Sequence, residues 1–340
     1  MKVNPYLEYC TRCGKCVPEC PSYEVFKLES FSPRGRVFLA SIGKSFNSFE
    51  YCLLCGRCEK TCPNQVSFPL FYAKLRSDSS SNKALLLKLG ETPLSLFKRA
   101  MGLIEGEFKE VEYKKEDFEK NESAEVGIFV GCGFKELFPQ ALYRLKALFE
   151  EEKKSVHFFT DVICCGAPFL NFGDGEGFKK RALENLEILE GFPGKIYTFC
   201  ATCFWIMKRV YPVVFKGTNL EERFFSLSEK IETGAQFFAE FVEKSGLLKR
   251  FRGISVIFHL PCHLTETPRL VKNKLDIQSF CCGSPRVSLW LKGFQLKYRQ
   301  RWIKRLTGKQ VIATFCTGCY LNFKVLLKSP IEVRHWLELV

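Results

Sequence analysis

At 340 residues, 46% of them hydrophobic and 34 of them Phe, the chain is long enough for two or three domains whose cores the phenylalanines would pack. It opens MKVNPYLEYC, without an apolar leader, and has no run of roughly 18 apolar residues, so its 18 Cys point to metal in a cytoplasmic protein rather than to exported disulfides or a membrane span. The net charge of +14 counts every Cys as neutral, and Lys and Arg are scattered among Glu; a solvated surface facing an acidic partner or anionic lipid is expected, not nucleic-acid binding.

Residues 1–76 carry two matching runs, Cys10-x2-Cys13-x2-Cys16-x3-Cys20-Pro21 and Cys52-x2-Cys55-x2-Cys58-x3-Cys62-Pro63. Three cysteines at this spacing wrap three corners of an iron–sulfur cube, and the fourth of each run serves the other cluster, as in bacterial ferredoxins. Cys10, Cys13, Cys16 and Cys62 are therefore expected to hold one cubane [4Fe–4S] cluster, and Cys52, Cys55, Cys58 and Cys20 a second. Pro21 and Pro63 would turn the chain away after each remote ligand. Zinc also favours Cys-x2-Cys pairs, but it closes with four ligands and needs no third equally spaced Cys followed by Cys-Pro. Each thiolate-bound cubane is about −2, which lowers the charge excess to about +10. Between the runs, SPRGRVFLASIG reads as a helix.

Residues 77–124 contain no Cys and include the polar run RSDSSSN and a long mixed-charge run. They read as linker helices across a domain boundary.

An internal repeat follows, expected to form one domain over 125–245 and a second, shortened one over 246–340. VGIFVGCGF (126–134) matches SVIFHLPCHL (255–264), VICCGAP (162–168) matches SFCCGSP (279–285), and YTFCATCFW (197–205) matches ATFCTGCYL (313–321). Each block is a β-branched and aromatic run ending in Cys, the mark of a buried strand feeding a ligand-bearing loop. The helical stretches EGFKKRALENLEILEG and FQLKYRQRWIKRLTG separate the second and third blocks. The expected fold class is therefore α/β: an all-α N-terminal domain, then two repeated parallel-sheet units with cysteines beyond the carboxyl ends of the strands.

The first copy spaces its ligands as Cys132-x31-Cys164-Cys165-Gly166-x33-Cys200-x2-Cys203, the second as Cys262-x18-Cys281-Cys282-Gly283-x32-Cys316-x2-Cys319. Adjacent cysteines in a strand point to opposite faces, so each pair shares a site only if the following glycine turns the backbone. Five thiolates exceed the needs of zinc or of a cubane and suggest a larger or distorted cluster. The shorter spacing in the second copy suggests that about one strand and one helix are shortened or missing there.

Both copies resemble the CCG cysteine-rich domain of the heterodisulfide reductase family, and CCGAPFLNFGDGEGF and LPCHL are family-like beyond the cysteines. A helical ferredoxin domain followed by two CCG domains resembles the iron–sulfur subunit of glycolate oxidase. The resemblance implies one or two further [4Fe–4S] clusters of non-cubane type, on Cys132, Cys164, Cys165, Cys200 and Cys203 and on Cys262, Cys281, Cys282, Cys316 and Cys319. It implies an electron-transfer subunit working with an FAD-containing 2-hydroxy acid (glycolate or lactate) dehydrogenase and passing electrons towards quinone, cytoplasmic or peripheral at the inner face of the membrane. The alternative is a catalytic subunit that reduces a disulfide at a non-cubane cluster. Cys164 and Cys165 are the catalytic candidates, together with His263, which could protonate a departing thiolate or simply hydrogen-bond near the loop. His157, His259 and His335 read as structural. The sequence shows no flavin, nicotinamide or Walker fingerprint, so donor chemistry belongs to a partner.

Overall fold

The computed structural model describes residues 9–44, 47–68, 70–71, 113–118, 121, 123–137, 139–162, 164–244, 253, 255–264, 275–283, 292–327 and 331–339. Most of the linker expected over 77–124 lies outside these residues; within it a single 3-10 turn, Lys115–Asp117, is described.

The N-terminal region is helical. Pro21 does more than redirect the chain: it opens the helix Pro21–Phe26, immediately after Cys20 in extended conformation. Proline suits the first turn because its missing N–H would find no partner there anyway. The expected helix between the runs is present as Pro33–Ser41, where the Ser32 side chain accepts a hydrogen bond from the Gly35 amide at 2.9 Å. The two cysteine runs fold alike. Arg12 and Leu54, and likewise Gly14 and Gly56, occupy matching positions with positive φ.

Two four-stranded, all-parallel sheets follow. The first contains β1 (Val126–Phe129), β2 (Val156–Phe159), β3 (Lys195–Thr198) and β4 (Ile231–Thr233), in the order β2-β1-β3-β4. The second contains β5 (Val256–Leu260), β6 (Ile277–Ser279), β7 (Val311–Thr314) and β8 (Glu332–His335), in the order β6-β5-β7-β8. Their near-continuous apolar runs suit parallel strands covered on both faces; every residue of β5 and β7 is buried.

The second module keeps all four strands, so of the two expected alternatives the strand is shortened and not missing. β6 is three residues long against four in β2, and pairs with β5 from Phe258↔Ile277 to Leu260↔Ser279. The shortening therefore falls on the connection between β5 and β6. Its residues 265–274 lie outside the described region, so the expected loss of a helix does too.

Helices flank the sheets as the pattern requires. Asp174 caps Gly175–Leu189, whose Phe178, Ala182, Leu186 and Leu189 recur on one buried face. Truncating a fully buried leucine such as Leu186 would cost about 2–5 kcal/mol. The helical stretch of the second module spans Lys292–Ile303.

An aromatic seam joins the modules, with Phe238 5.4 Å from Phe258, 5.3 Å from Phe315 and 4.8 Å from Trp336, ring centre to ring centre. Polar bonds reinforce it: the Ala201 amide donates to the Phe315 carbonyl at 3.0 Å and His335 Nε2 to the Phe199 carbonyl at 3.1 Å.

Candidate metal centres

In each sheet the chain reverses its winding between the two central strands, β1 and β3 or β5 and β7. Loops beyond strand carboxyl ends diverge at such a switch and leave a crevice. Cys132 and Cys200 follow β1 and β3, Cys262 and Cys316 follow β5 and β7, and the Cys-Cys pairs follow β2 and β6. The turn inferred from the glycines is present: Gly166 has φ +89° and Gly283 φ +92°. A Cβ at Gly166 would also lie 2.9 Å from the Phe178 ring, so only glycine fits.

Cys10, Cys13, Cys16 and Cys62 line one cavity with Arg12, Lys15, Arg34 and Asn64. Cys13 is exposed, Cys10 and Cys62 are half-buried and Cys16 is buried. Burial pushes the Cys16 thiol up to about 11, reinforced by Cys10 and Cys62. Cys58 is raised well above the thiol range by burial and then by the neighbouring Cys55, Cys52 and Cys20. Each fourth cysteine thus stands among the first three of the other run. Buried Arg36, absent from the sequence-based candidates, places Nη1 3.6 Å from Cys20 Sγ and donates from Nε to the Ser48 carbonyl at 2.9 Å.

In the first module the five cysteines are electrostatic neighbours in a row. Cys132 meets Cys164, Cys164 meets Cys165, Cys165 meets Cys203, and Cys203 meets Cys200. Bonds from Cys132 and Cys165 hold Cys164 well below the ordinary thiol range, and those from Cys203 and Cys316 do the same for Cys200. The supporting residues carry no sequence signal of their own: Asn185 Nδ2 donates to the Cys164 carbonyl at 2.8 Å and Tyr211 Oη to the Cys165 carbonyl at 2.9 Å. A π-helical turn over Ile206–Val210 delivers Tyr211 to that place.

The second module divides its cysteines. Cys262 and Cys281 neighbour each other and Cys55 of the N-terminal domain, while Cys282 neighbours Cys319 and Cys319 neighbours Cys316. Asn322 Nδ2 donates to the Cys282 carbonyl at 2.6 Å. The modules then touch through sulfur, with Cys200 Sγ 3.9 Å from Cys316 Sγ.

His263 sits where the three parts meet. Its Nε2 donates to the Leu54 carbonyl at 3.0 Å, its Nδ1 lies 3.0 Å from Thr202 Oγ1, and its ring stacks on Trp205 with 4.6 Å between centres. Burial holds its pKa below the ordinary value. With both nitrogens engaged, it ties together loops of the three parts. His157, His259 and His335 are buried and hydrogen-bonded, His259 between Thr314 Oγ1 and the Phe280 carbonyl.

Residues 6–66 match the 4Fe-4S dicluster domain, and residues 126–208 and 256–324 match the cysteine-rich domain named CCG. The chain is an iron–sulfur protein with one dicluster domain and two CCG domains. It is 24% identical over 288 residues to one subunit of the fumarate reductase (CoM/CoB) of Methanothermobacter marburgensis, an alignment covering 76% of this chain and 55% of that protein. Uncharacterized iron–sulfur proteins of Methanococcus maripaludis and Methanocaldococcus jannaschii are 25% and 26% identical over 48% and 36% of this chain. The chain thus spans about half, or less, of the curated relatives it matches.

These donor sets fit iron–sulfur clusters. Among the described residues, no group of three His, Cys, Asp or Glu forms a site for a single metal ion. A cluster asks for something else, since each thiolate binds a different iron around a cage. Buried sulfur donors surrounded by backbone and amide groups supply that arrangement. Among the described residues no helix is long and apolar enough to cross a membrane.

Proposed function

We propose that this chain is the electron-transfer subunit of an oxidoreductase. It would hold two cubanes on Cys10, Cys13, Cys16 and Cys62 and on Cys52, Cys55, Cys58 and Cys20. One further cluster would sit in each CCG module, on Cys132, Cys164, Cys165, Cys200 and Cys203 and on Cys262, Cys281, Cys282, Cys316 and Cys319. The observation carrying this reading is the succession of sulfur neighbours from the second cysteine run to the far module. Cys58 stands beside Cys55, Cys55 meets Cys262 and Cys281, and the Cys282–Cys319–Cys316 row meets Cys200 and the first module. When bound, the clusters supply one-electron storage; the polypeptide sets their order, shields them and fixes their neighbours.

Of the eight N-terminal cysteines Cys13 is exposed, and Arg12, Lys15 and Arg34 line its cavity. Beside it the Arg12 guanidinium covers the Phe38 ring at 5.3 Å, and Phe38 is 45% exposed. We assign this face to an FAD-containing dehydrogenase partner that oxidises a 2-hydroxy acid such as glycolate or lactate, with quinone as the eventual acceptor. In this reading the complex is cytoplasmic, held peripherally at the inner membrane face, and the domains run 1–76, 125–245 and 246–340 around the 77–124 linker. A second reading has support in the relative that belongs to a fumarate reductase (CoM/CoB). In it the Cys164–Cys165 loop would be the place where a disulfide takes up two electrons and two protons.

Anaerobic purification with partners, then iron, sulfide, zinc and flavin analysis, tests the proposal. About 16 Fe per chain is expected, four for each of four clusters. Zinc equal to or above iron would overturn it. Glycolate- or lactate-dependent reduction of the clusters by a co-purifying flavoprotein supports the first reading. Disulfide cleavage by the reduced protein without that flavoprotein supports the second.

A further inference from the structure

Thr317 follows Cys316 in the second repeat, yet its side chain is built into the first module. Its Oγ1 lies 3.1 Å from Cys200 Sγ. A Cβ added to Gly133, the neighbour of Cys132, would come within 2.7 Å of both Cβ and Oγ1 of Thr317, so the threonine packs into the space this glycine leaves open. At 4% exposure its hydroxyl meets no competing bulk water. A cluster-bound Cys200 is a thiolate and can only accept, so the Thr317 hydroxyl must be the donor.

The converse contact is longer and shared. The repeat places Ala201 where the second copy has Thr317. The hydroxyl near Cys316 belongs instead to Thr202, 3.4 Å from its Sγ and 3.0 Å from Nδ1 of His263. Because the Leu54 carbonyl accepts from Nε2, the neutral ring carries its hydrogen there and Nδ1 is an acceptor. Thr202 has one proton, which Nδ1 at 3.0 Å and Cys316 Sγ at 3.4 Å compete for.

We propose that Thr317 is a positioning residue that raises the reduction potential of the first-module cluster above that of the second. A hydrogen bond to a cluster sulfur stabilises the reduced, more negative state, and here Thr317 gives the first module a shorter bond, 3.1 Å, than the 3.4 Å bond that Thr202 shares between Cys316 and His263. The second module, whose Cys262 and Cys281 lie against Cys55, is then the lower-potential member facing the cubanes. The first module is the favoured resting place for an electron in the pair. This rests on the reading that both CCG modules hold clusters.

Redox titration followed by EPR on the anaerobically purified full chain tests it. The first-module signal is defined as the one lost in Cys132→Ser. Thr317→Val and Thr317→Ala should move that midpoint to more negative values, by about a tenfold change in the one-electron equilibrium, or about 59 mV. Thr317→Ser should restore it, and Thr202→Val should leave it in place. An unchanged midpoint in both hydroxyl-free variants at full iron content overturns the assignment of Thr317 alone, as does an equal shift in Thr317→Ser. If the unaltered protein has no signal that Cys132→Ser removes, the cluster reading falls and this inference with it.

Discussion

Nζ of Lys60 lies 2.6 Å from the carbonyl oxygen of Cys262 and 2.6 Å from that of Leu264, so a cation from the N-terminal domain closes the loop bearing the first ligand of the second module. The same junction brings Phe294 within 5.8 Å of the Phe26 and Tyr51 rings, centre to centre. Charged hydrogen bonds to backbone contribute about 1.5–3 kcal/mol each when shielded, and less here because Lys60 is exposed along part of its length. Lys60→Met should therefore weaken the junction by about 1–2 kcal/mol. In denaturant, the second-module cluster should bleach before the cubane on Cys10, Cys13, Cys16 and Cys62. Simultaneous loss of all clusters, at the midpoint of the unaltered protein, would show that Lys60 does not hold this contact.

Cys20→Ser should damage the cubane of the other run. Cys20 acts electrostatically on Cys58 of the other run, while Cys62 lines the cavity of Cys10, Cys13 and Cys16. The expected product keeps one cubane EPR signal and loses about four Fe. Cys62→Ser should remove the complementary signal. Loss of the same signal in both variants would rule out exchange of fourth ligands.

Arg36 is expected to tune that second cubane. Its buried guanidinium reaches Cys20 Sγ at 3.6 Å and also secures the Ser48 carbonyl. Arg36→Met removes the positive charge and leaves the Ser48 carbonyl without this donor, which costs about 1–3 kcal/mol. The midpoint of the cubane tied to Cys20 should fall, because a nearby cation favours the reduced state. Arg36→Lys should recover part of the shift. A stability loss with no change in midpoint would make Arg36 purely structural.

The cysteine spacing made much of this legible, since C-x2-C-x2-C-x3-C-P and the paired cysteines before glycine constrain chain and ligand together. The strand runs VGIF and VIFHL were equally plain, because parallel strands buried on both faces are continuously apolar, whereas β2 lies at VHFF, upstream of the VICCGAP block that read as strand-like. The fourth strands were harder to see. Ile231–Thr233 and Glu332–His335 are short, partly polar edge strands whose identity comes from pairing with β3 and β7. Spacing alone left open whether β6 was shortened or missing; it survives as three residues after a contracted connection. Arg36, Lys60, Asn185 and Thr317 act by contacts made across the chain, such as Lys60 with Cys262, and local pattern carries no trace of such pairs. For Thr317 a hint existed: it is a hydroxyl inside a repeated block whose counterpart is Ala201.

Cys165→Ser separates wiring from terminal chemistry. Cys165 lies mid-row in the first module, between Cys164 and Cys203, and its carbonyl is held by Tyr211. Serine keeps the volume and backbone bonds but replaces a thiolate by a weak ligand, so the first-module cluster should be lost or altered while the fold persists. The eight N-terminal cysteines lie within residues 10–62, and the sulfur neighbours of Cys55 beyond that domain are Cys262 and Cys281 of the second module. Donor-driven reduction of the cubanes should therefore survive, whereas turnover to the final acceptor should fall to background. The measurement is low-temperature EPR after adding the donor substrate to the reconstituted complex, alongside steady-state turnover. Normal turnover in the variant would make the first module structural. Loss of cubane reduction as well would place that module between the donor and the cubanes, with the partner docking at the far end of the sulfur row and not beside Cys13.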